Sequence, residues 1–258
     1  MIRSFKLAAY YAFYYTPLNH LLTPTATTPT GDALYSSALL AIYNFIVWTI
    51  NAPLLWGIEY DTVHTLYTTH TSSIHCEIGV GTGLFLTPPD VLPRNAALTL
   101  LDVNENSLFI ASKHVLSRRG IPASIILGDI SSPTLIPPPT LYESIAANFL
   151  IHCLPGDSIL AKKETFSNIA AFLSPTGVFF GTTILHDATL LKNNPRATHV
   201  FTKFNDSQIF HNRNDKLADL HSVLSSLFGD VTLSTVRASE ARRGEASESG
   251  GDGGVRAI

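Results

Sequence analysis

His75-Cys76-Glu77-Ile78-Gly79-Val80-Gly81-Thr82-Gly83-Leu84 is the stretch on which the reading of this chain turns. A short apolar run, Ser73–Ile78, ends in a turn with glycines at 79, 81 and 83, and a helical pattern opens behind it. Glycine carries no Cβ, so the backbone of such a loop can come close to a ligand. Alone, the loop reads as an ordinary tight turn. What surrounds it says more.

Short apolar runs recur after residue 73. They are Leu98–Val103, Ala123–Leu127, Ser144–Phe149, Gly177–Leu185 and Val231–Val236. Amphipathic stretches lie between them. Asn106–Arg119 places Leu108, Ala111, Val115 and Leu116 on one stripe. Ser158–Leu173 turns Ile159, Phe166, Ile169, Ala170 and Leu173 inward, with Asp157 as its expected N-cap and Pro175 and Gly177 closing it. Asp215–Phe228 carries Leu217, Leu220, Val223, Leu224 and Leu227 and stops at Gly229. Strands alternating with helices at this spacing predict an α/β fold, a parallel sheet with helices on both faces.

The flanks differ. Residues 1–72 read as a helical, Tyr/Thr-rich extension, 73–236 as the sheet domain, and 237–258 as a disordered polar tail. Ser36–Ile58 carries no formal charge and is long enough to span a bilayer. Asn44, Asn51 and Pro53 argue instead for a lid of two helical pieces, Ala38–Thr49 and Pro53–Tyr60, broken at Asn51-Ala52-Pro53. The expected location is therefore cytoplasmic, with loose membrane association through 36–58 as the alternative. Tyr14, Tyr15, Tyr43, Phe45, Trp48 and Trp56 would roof a site or simply pack in the core.

Composition narrows the function. The chain has 258 residues, of which 45% are hydrophobic and 14% charged, so it is a folded chain with few surface ion pairs. A net charge of −3 with no basic stripe gives no field for nucleic acid, so none is expected as a partner. The two cysteines, Cys76 and Cys153, cannot build a disulfide framework, and no Cys/His set has zinc spacing, so no metal is expected.

The acids that close the runs give the ligand. Glu77 ends the first, Asp102 the second and Asp129 the third, the last preceded by Gly128. A carboxylate where Asp102 stands suits a bidentate grip on a ribose diol. The dinucleotide fingerprint G-x-G-x-x-G is shaped for pyrophosphate, whereas E-x-G-x-G-x-G puts an acid where a phosphate would be repelled and a cation welcomed. Glu77-Ile78-Gly79-Val80-Gly81-Thr82-Gly83 resembles motif I of the class I S-adenosylmethionine-dependent methyltransferases. Leu100-Leu101-Asp102-Val103-Asn104, Gly128-Asp129-Ile130 and Leu173-Ser174-Pro175-Thr176-Gly177-Val178 resemble the motifs that follow it. Ala147-Asn148-Phe149-Leu150-Ile151-His152-Cys153-Leu154-Pro155-Gly156-Asp157 is similar to the fourth-strand motif of small-molecule methyltransferases from bacterial and fungal secondary metabolism. So are Phe204-Asn205, Ile209-Phe210-His211-Asn212 and Asp215.

That resemblance implies a Rossmann-like sheet, S-adenosylmethionine as cofactor, and a polyketide- or peptide-derived small molecule as substrate. It implies that Glu77, Gly79, Gly81 and Gly83 hold the methionine part. Asp102 and Asn104 would hold the ribose, Asp129 and Ile130 the adenine, and Asn148 would sit near the methionine ammonium and the reacting centre. Asp129 and Asn104 also suit ordinary turns. His152 is the expected general base, with a packed helix-start histidine as the alternative; His186 is the weaker candidate. The alternative function is a pericyclase on the same fold, in which no methyl moves. The antiparallel strand that usually completes this sheet is not visible after Val231–Val236.

Overall fold

A computed structural model of the chain describes residues 45–235 and 255–257. Seven strands form one sheet: β1 (Ile74–Ile78), β2 (Ala97–Asp102), β3 (Ala123–Leu127), β4 (Tyr142–Asn148), β5 (Leu173–Thr182), β6 (Val231–Leu233) and β7 (Val255–Ala257). Their spatial order is β3-β2-β1-β4-β5-β7-β6. Every pairing is parallel. Among the described residues six α-helices accompany them: α1 (Tyr60–His70), α2 (Glu105–Arg119), α3 (Lys163–Phe172), α4 (Ala188–Asn193), α5 (Pro195–Asp206) and α6 (Leu217–Ser225).

Alternation along the strands divides the core in two. Cys76 and Ile78 of β1, Ile145 and Ala147 of β4 and Phe179 of β5 face α3 and α6, in a cluster with Phe166, Ile169 and Leu224. Leu98 and Leu100 of β2, Ala146 of β4 and Phe180 of β5 face the other way, against Val63, Leu66 and Tyr67 of α1 and Leu108, Ala111 and Val115 of α2. Both faces are covered, as a parallel sheet requires. The period of two therefore sends His75 and Glu77 to the α1 face, opposite Cys76 and Ile78.

Several expectations shift. Leu116 is exposed rather than part of the buried stripe of α2. Asp157 is not the cap of α3. A tight turn of helix, Leu160–Lys162, precedes α3, and Lys162 occupies its N-cap position. α5 lies in a stretch where no helix was expected. The sheet does receive a strand between β5 and β6. It is Val255–Ala257, three residues inside the stretch expected to be a disordered tail, and it runs parallel rather than antiparallel. The reason is the gap itself: without β7, β5 and β6 would each leave an unpaired backbone edge.

The apolar segment forms one π-helical run, Phe45–Trp56, with Pro53 inside it, and not two pieces broken before the proline. Ala52, Leu55 and Ile58 are buried against the sheet domain. The described part of the expected extension is thus packed into the core. Ser36 to Asn44, with Tyr14, Tyr15 and Tyr43, lies outside the described residues. No described helix is long and apolar enough to cross a membrane.

β4 and β5 carry the longest pairing and approach most closely at Gly181. A Cβ there would stand 2.0 Å from the carbonyl oxygen of Ala147 and 2.7 Å from its carbon. Backbone cannot yield as a side chain can. Gly181→Ala is expected to lower the unfolding free energy by about 2–3 kcal/mol, read as a reduced urea midpoint.

Candidate functional site: three cavities at the ends of the strands

The C-terminal ends of β1, β2 and β4 open on a cavity of about 430 Å³. That size suits a small molecule or cofactor. Gly79, Gly81, Asp102, Asn104, Asp129 and Asn148 all line it. Gly79, Gly81 and Gly83 have φ of +71°, +51° and +69°, a region closed to most side chains. A Cβ on Gly79 would also meet the Leu150 side chain at 2.8 Å. All three suit the turn, and Gly79 also leaves room for Leu150.

Each acid on the wall is held by its own neighbours. Asp102 Oδ1 accepts the Asn104 amide at 2.9 Å. Asn104 Oδ1 in turn accepts the amides of Asn106 and Ser107, capping α2 while the residue lines the cavity. Asp129 Oδ1 accepts the Ser131 amide at 2.8 Å and its hydroxyl at 2.6 Å. Asp129 is thus a turn residue whose position puts it on the cavity wall, with the buried Ile130 behind it.

A second, small cleft of about 40 Å³ adjoins the first and shares Gly79, Gly81, Asn148 and Phe149 with it. Glu77 and Gly83 line this cleft and not the larger cavity. Glu77 is only 5% exposed. Its Oε1 accepts the Tyr67 hydroxyl at 2.5 Å, and its Oε2 lies 3.4 Å from Nε2 of His75. Burial raises its pKa, and His75 and Tyr67 act against that rise. Trp48 of the π-helical run closes the cleft, packed edge-on against Phe85 and Phe149 with ring centroids at 4.6 and 5.3 Å. Trp48 thus lines the cleft and packs on the core as well.

A third cavity, about 570 Å³, lies beyond the end of β5. Its walls are mostly apolar, with Trp56, Ile184, Leu217 and Leu220, and its polar groups include His186, Asp187 and Lys216. Phe149 belongs to all three cavities. It stands at φ +53°, unusual for a bulky residue, and its amide donates to the carbonyl and hydroxyl oxygens of Thr182. The Thr182 hydroxyl also donates to Asn148 Oδ1. The Asn148–Thr182 contact thus forms a partition, with Asn148 on the first two cavities and Thr182 on the third.

The acidic groups gather at the ends of the strands. Two acids line a nucleoside-sized cavity, and a buried carboxylate beneath an aromatic ring lines the cleft beside it. No protein-family model matches the chain. A demethylluteothin O-methyltransferase of Streptomyces thioluteus is 31% identical over 205 residues, covering 80% of this chain and 86% of the relative. The chain belongs to the class I S-adenosylmethionine-dependent methyltransferases. A physcion biosynthesis cluster O-methyltransferase of Aspergillus chevalieri is 31% identical over 168 residues, covering 64% of this chain and 71% of the relative. A solved Nostoc punctiforme structure, assigned as an O-methyltransferase, shares the fold with a TM-score of 0.56 at 14% identity, over 88% of this chain and 65% of that one.

In this methyltransferase His152 is not placed to be the base. It is 2% exposed and lines none of the three cavities. Its Nδ1 faces the Ile184 amide at 3.3 Å, and its ring packs edge-on against Phe210 at 4.5 Å. Burial, aided by the Lys162 charge, pushes its pKa down to about 3. It is the packed histidine of the alternative reading. Cys153 is likewise held as a thiol, pushed up to about 12 by burial.

The motif from Phe204 to Asp215 is a scaffold. Asn205 Nδ2 donates to Asn212 Oδ1 at 2.9 Å, and Asn212 Nδ2 donates to the Ile184 carbonyl at 2.8 Å. Lys162, 1% exposed, donates to Asp215 Oδ2 at 2.7 Å and to the His211 carbonyl at 2.8 Å. Removing one partner of such a buried pair typically costs about 3–5 kcal/mol. The network fixes the segment that brings His211 to the first cavity and Lys216 to the third.

Sequence reasoning missed Tyr67, Phe149 and Thr182. Tyr67 was visible as part of an apolar i, i+3, i+4 stripe with Val63 and Leu66, yet its hydroxyl had no readable target. Thr182 gave no signal, because its pairing with Asn148 exists only in the sheet register.

The His152 assignment has a measurable sign. Its folded pKa lies below the unfolded value, so the unfolded chain binds the extra proton. Its contribution is therefore lost as pH falls from about 6.5 to about 3. His152→Asn keeps a neutral acceptor and removes that proton. Acid denaturation of this variant should show a slope shallower by about one proton in that window. Methyl transfer by the folded variant should stay within about threefold of wild type, where loss of a true base would cost about 10²–10⁴.

Proposed function

We propose that this methyltransferase places a methyl group on an oxygen of a small, largely apolar molecule of secondary-metabolite type. The observation that carries the reading is the partition at Phe149. It sets the acid-lined cavities on one side and the 570 Å³ apolar cavity on the other. A donor and an acceptor need this adjacency, because orientation and exclusion of water supply much of the rate. The names of the Streptomyces and Aspergillus relatives support both the oxygen acceptor and the secondary-metabolite class.

In this reading Asp102 and Asn104 hold the ribose, Asp129 and Ile130 the adenine, and Glu77 with the loop of Gly79, Gly81 and Gly83 the methionine part. When bound, S-adenosylmethionine supplies an electrophilic methyl group on a sulfonium. Asn148, fixed by Thr182, orients the reacting end. His186 takes the role first given to His152. It lines the acceptor cavity, its ring stacks on Phe201 at 5.6 Å, and its amide donates to the Asp215 carbonyl at 2.8 Å. Its imidazole can accept the acceptor hydroxyl's proton at the cavity wall. Trp56, Ile184 and Leu220 exclude water from that proton transfer.

The test is incubation with S-adenosylmethionine and a panel of apolar phenols and enols, read by product mass. A gain of one methyl group with stoichiometric S-adenosylhomocysteine is expected. An isomerised product of unchanged mass would show pericyclic chemistry instead. Asp102→Ala should weaken S-adenosylhomocysteine binding by about 1.5–3 kcal/mol, through lost charge-assisted hydrogen bonds, when measured by calorimetry.

A further inference from the structure

We propose that Tyr67, His75 and Ser144 form a buried positioning relay that makes Glu77 a proton-linked receptor for the ammonium group of the bound nucleoside. The inference rests on the cofactor reading above and goes beyond it. It assigns roles to three residues outside the glycine loop and predicts a proton that leaves when the ligand enters.

The hydrogen bonds can run in one continuous direction toward Glu77. The Ser72 amide donates to Ser144 Oγ at 2.8 Å, and we assign the Ser144 hydroxyl as donor to Nδ1 of His75, also at 2.8 Å, because that tautomer leaves a proton on Nε2 for Glu77. A histidine accepting at Nδ1 carries its proton on Nε2, and that nitrogen lies 3.4 Å from Glu77 Oε2. Tyr67 donates to the other oxygen at 2.5 Å. Each oxygen of Glu77 is thus aimed by one donor. Those donors come from two elements, α1 and β1, and the hydroxyl that sets the histidine comes from a third, β4. His75 and Ser144 are fully buried and Tyr67 is 1% exposed, so the relay is shut off from solvent.

The titratable groups around Glu77 are few. α1 presents Tyr67, β1 presents His75 and the thiol of Cys76, and β4 acts through Ser144. β5 presents the Phe180 ring, stacked 6.0 Å from His75, and the π-helical run presents Trp48 across the cleft. A carboxylate in this setting is half-compensated: two donors stabilise its charge while burial raises its pKa. A cation in the 40 Å³ cleft would complete the compensation. The balance is plain. A protonated Glu77 meeting an alkylammonium becomes a carboxylate–ammonium pair, and the proton passes to the buffer. Because the free-state pKa is raised, affinity for an ammonium-bearing ligand falls as pH falls through that raised value. Below it, the loss approaches about tenfold per pH unit.

The experiment uses two probes on the full chain. S-adenosylhomocysteine carries the α-ammonium, and 5′-methylthioadenosine has the same nucleoside without it. Calorimetry in two buffers of different ionisation enthalpy counts protons released. S-adenosylhomocysteine should release up to about one proton near the midpoint, and 5′-methylthioadenosine none. Tyr67→Phe removes one stabilising donor and should move the affinity midpoint of S-adenosylhomocysteine upward by about 0.5–1 pH unit. Glu77→Gln should abolish the pH dependence and the proton release. Equal proton release for both probes overturns the proposal, as does a Tyr67→Phe midpoint equal to wild type. In either case the cofactor reading stands, because both nucleosides bind. Failure of both to bind the wild-type chain overturns the cofactor reading itself, and the relay with it. Should Tyr67→Phe fail to fold, the two-probe comparison on the wild-type chain still decides.

Discussion

A carboxylate taken out of water has to be met by donors, and Glu77 organises this molecule around that requirement. Its place at the end of β1, before three left-handed glycines, puts it beneath the cavity floor. The sheet's alternation turns it toward α1. α1 therefore has to dock with Tyr67 pointing at it, and His75 and Ser144 have to complete the set. The aromatic packing of Tyr67 on Phe85 and Phe180, at 5.1 and 5.2 Å, fixes that docking. The helix that precedes the sheet domain is thus part of the site.

A second buried polar centre meets a similar demand with an ion pair. Lys162 and Asp215 are both buried, and the lysine also donates to the His211 carbonyl. Together with Asn205 and Asn212 they tie the segment after α5 to the end of β5. Buried polar groups need partners with good geometry, so the network permits few arrangements. Its product is a fixed segment that carries His211 to the first cavity and Lys216 to the third. Between the two polar centres lies Phe149, whose strained backbone is held by Thr182. That residue is common to the acid-lined cavities and the apolar one.

The misreadings share a cause. His152 follows the fourth strand, where a base would be useful, but its neighbours Phe149 and Phe210 bury it. Asp157 precedes a helical pattern as a cap should, yet an extra tight turn moves the helix start to Lys163. The polar tail gave no apolar run, and still Val255–Ala257 is drawn into the sheet by unpaired backbone on both sides. In each case local composition described the residue correctly, and a non-local partner decided its role.

The sequence by itself determined the alternating strands, the glycine turn and the acids at 77, 102 and 129. These follow from periods of two and 3.6 and from the backbone freedom of glycine, which are properties of neighbouring residues. They sufficed for the parallel α/β sheet, the acids that line the cavity at the ends of β1, β2 and β4, and the class of cofactor. Only the tertiary structure decided that Tyr67 and His75 meet the Glu77 carboxylate, that Asn148 meets Thr182 across two strands, and that His186 lines the cavity beyond β5 while His152 lines none of the three. Those facts depend on strand register and on which helix covers which face. Both are set by packing between residues far apart in the chain, where no local pattern records the partner.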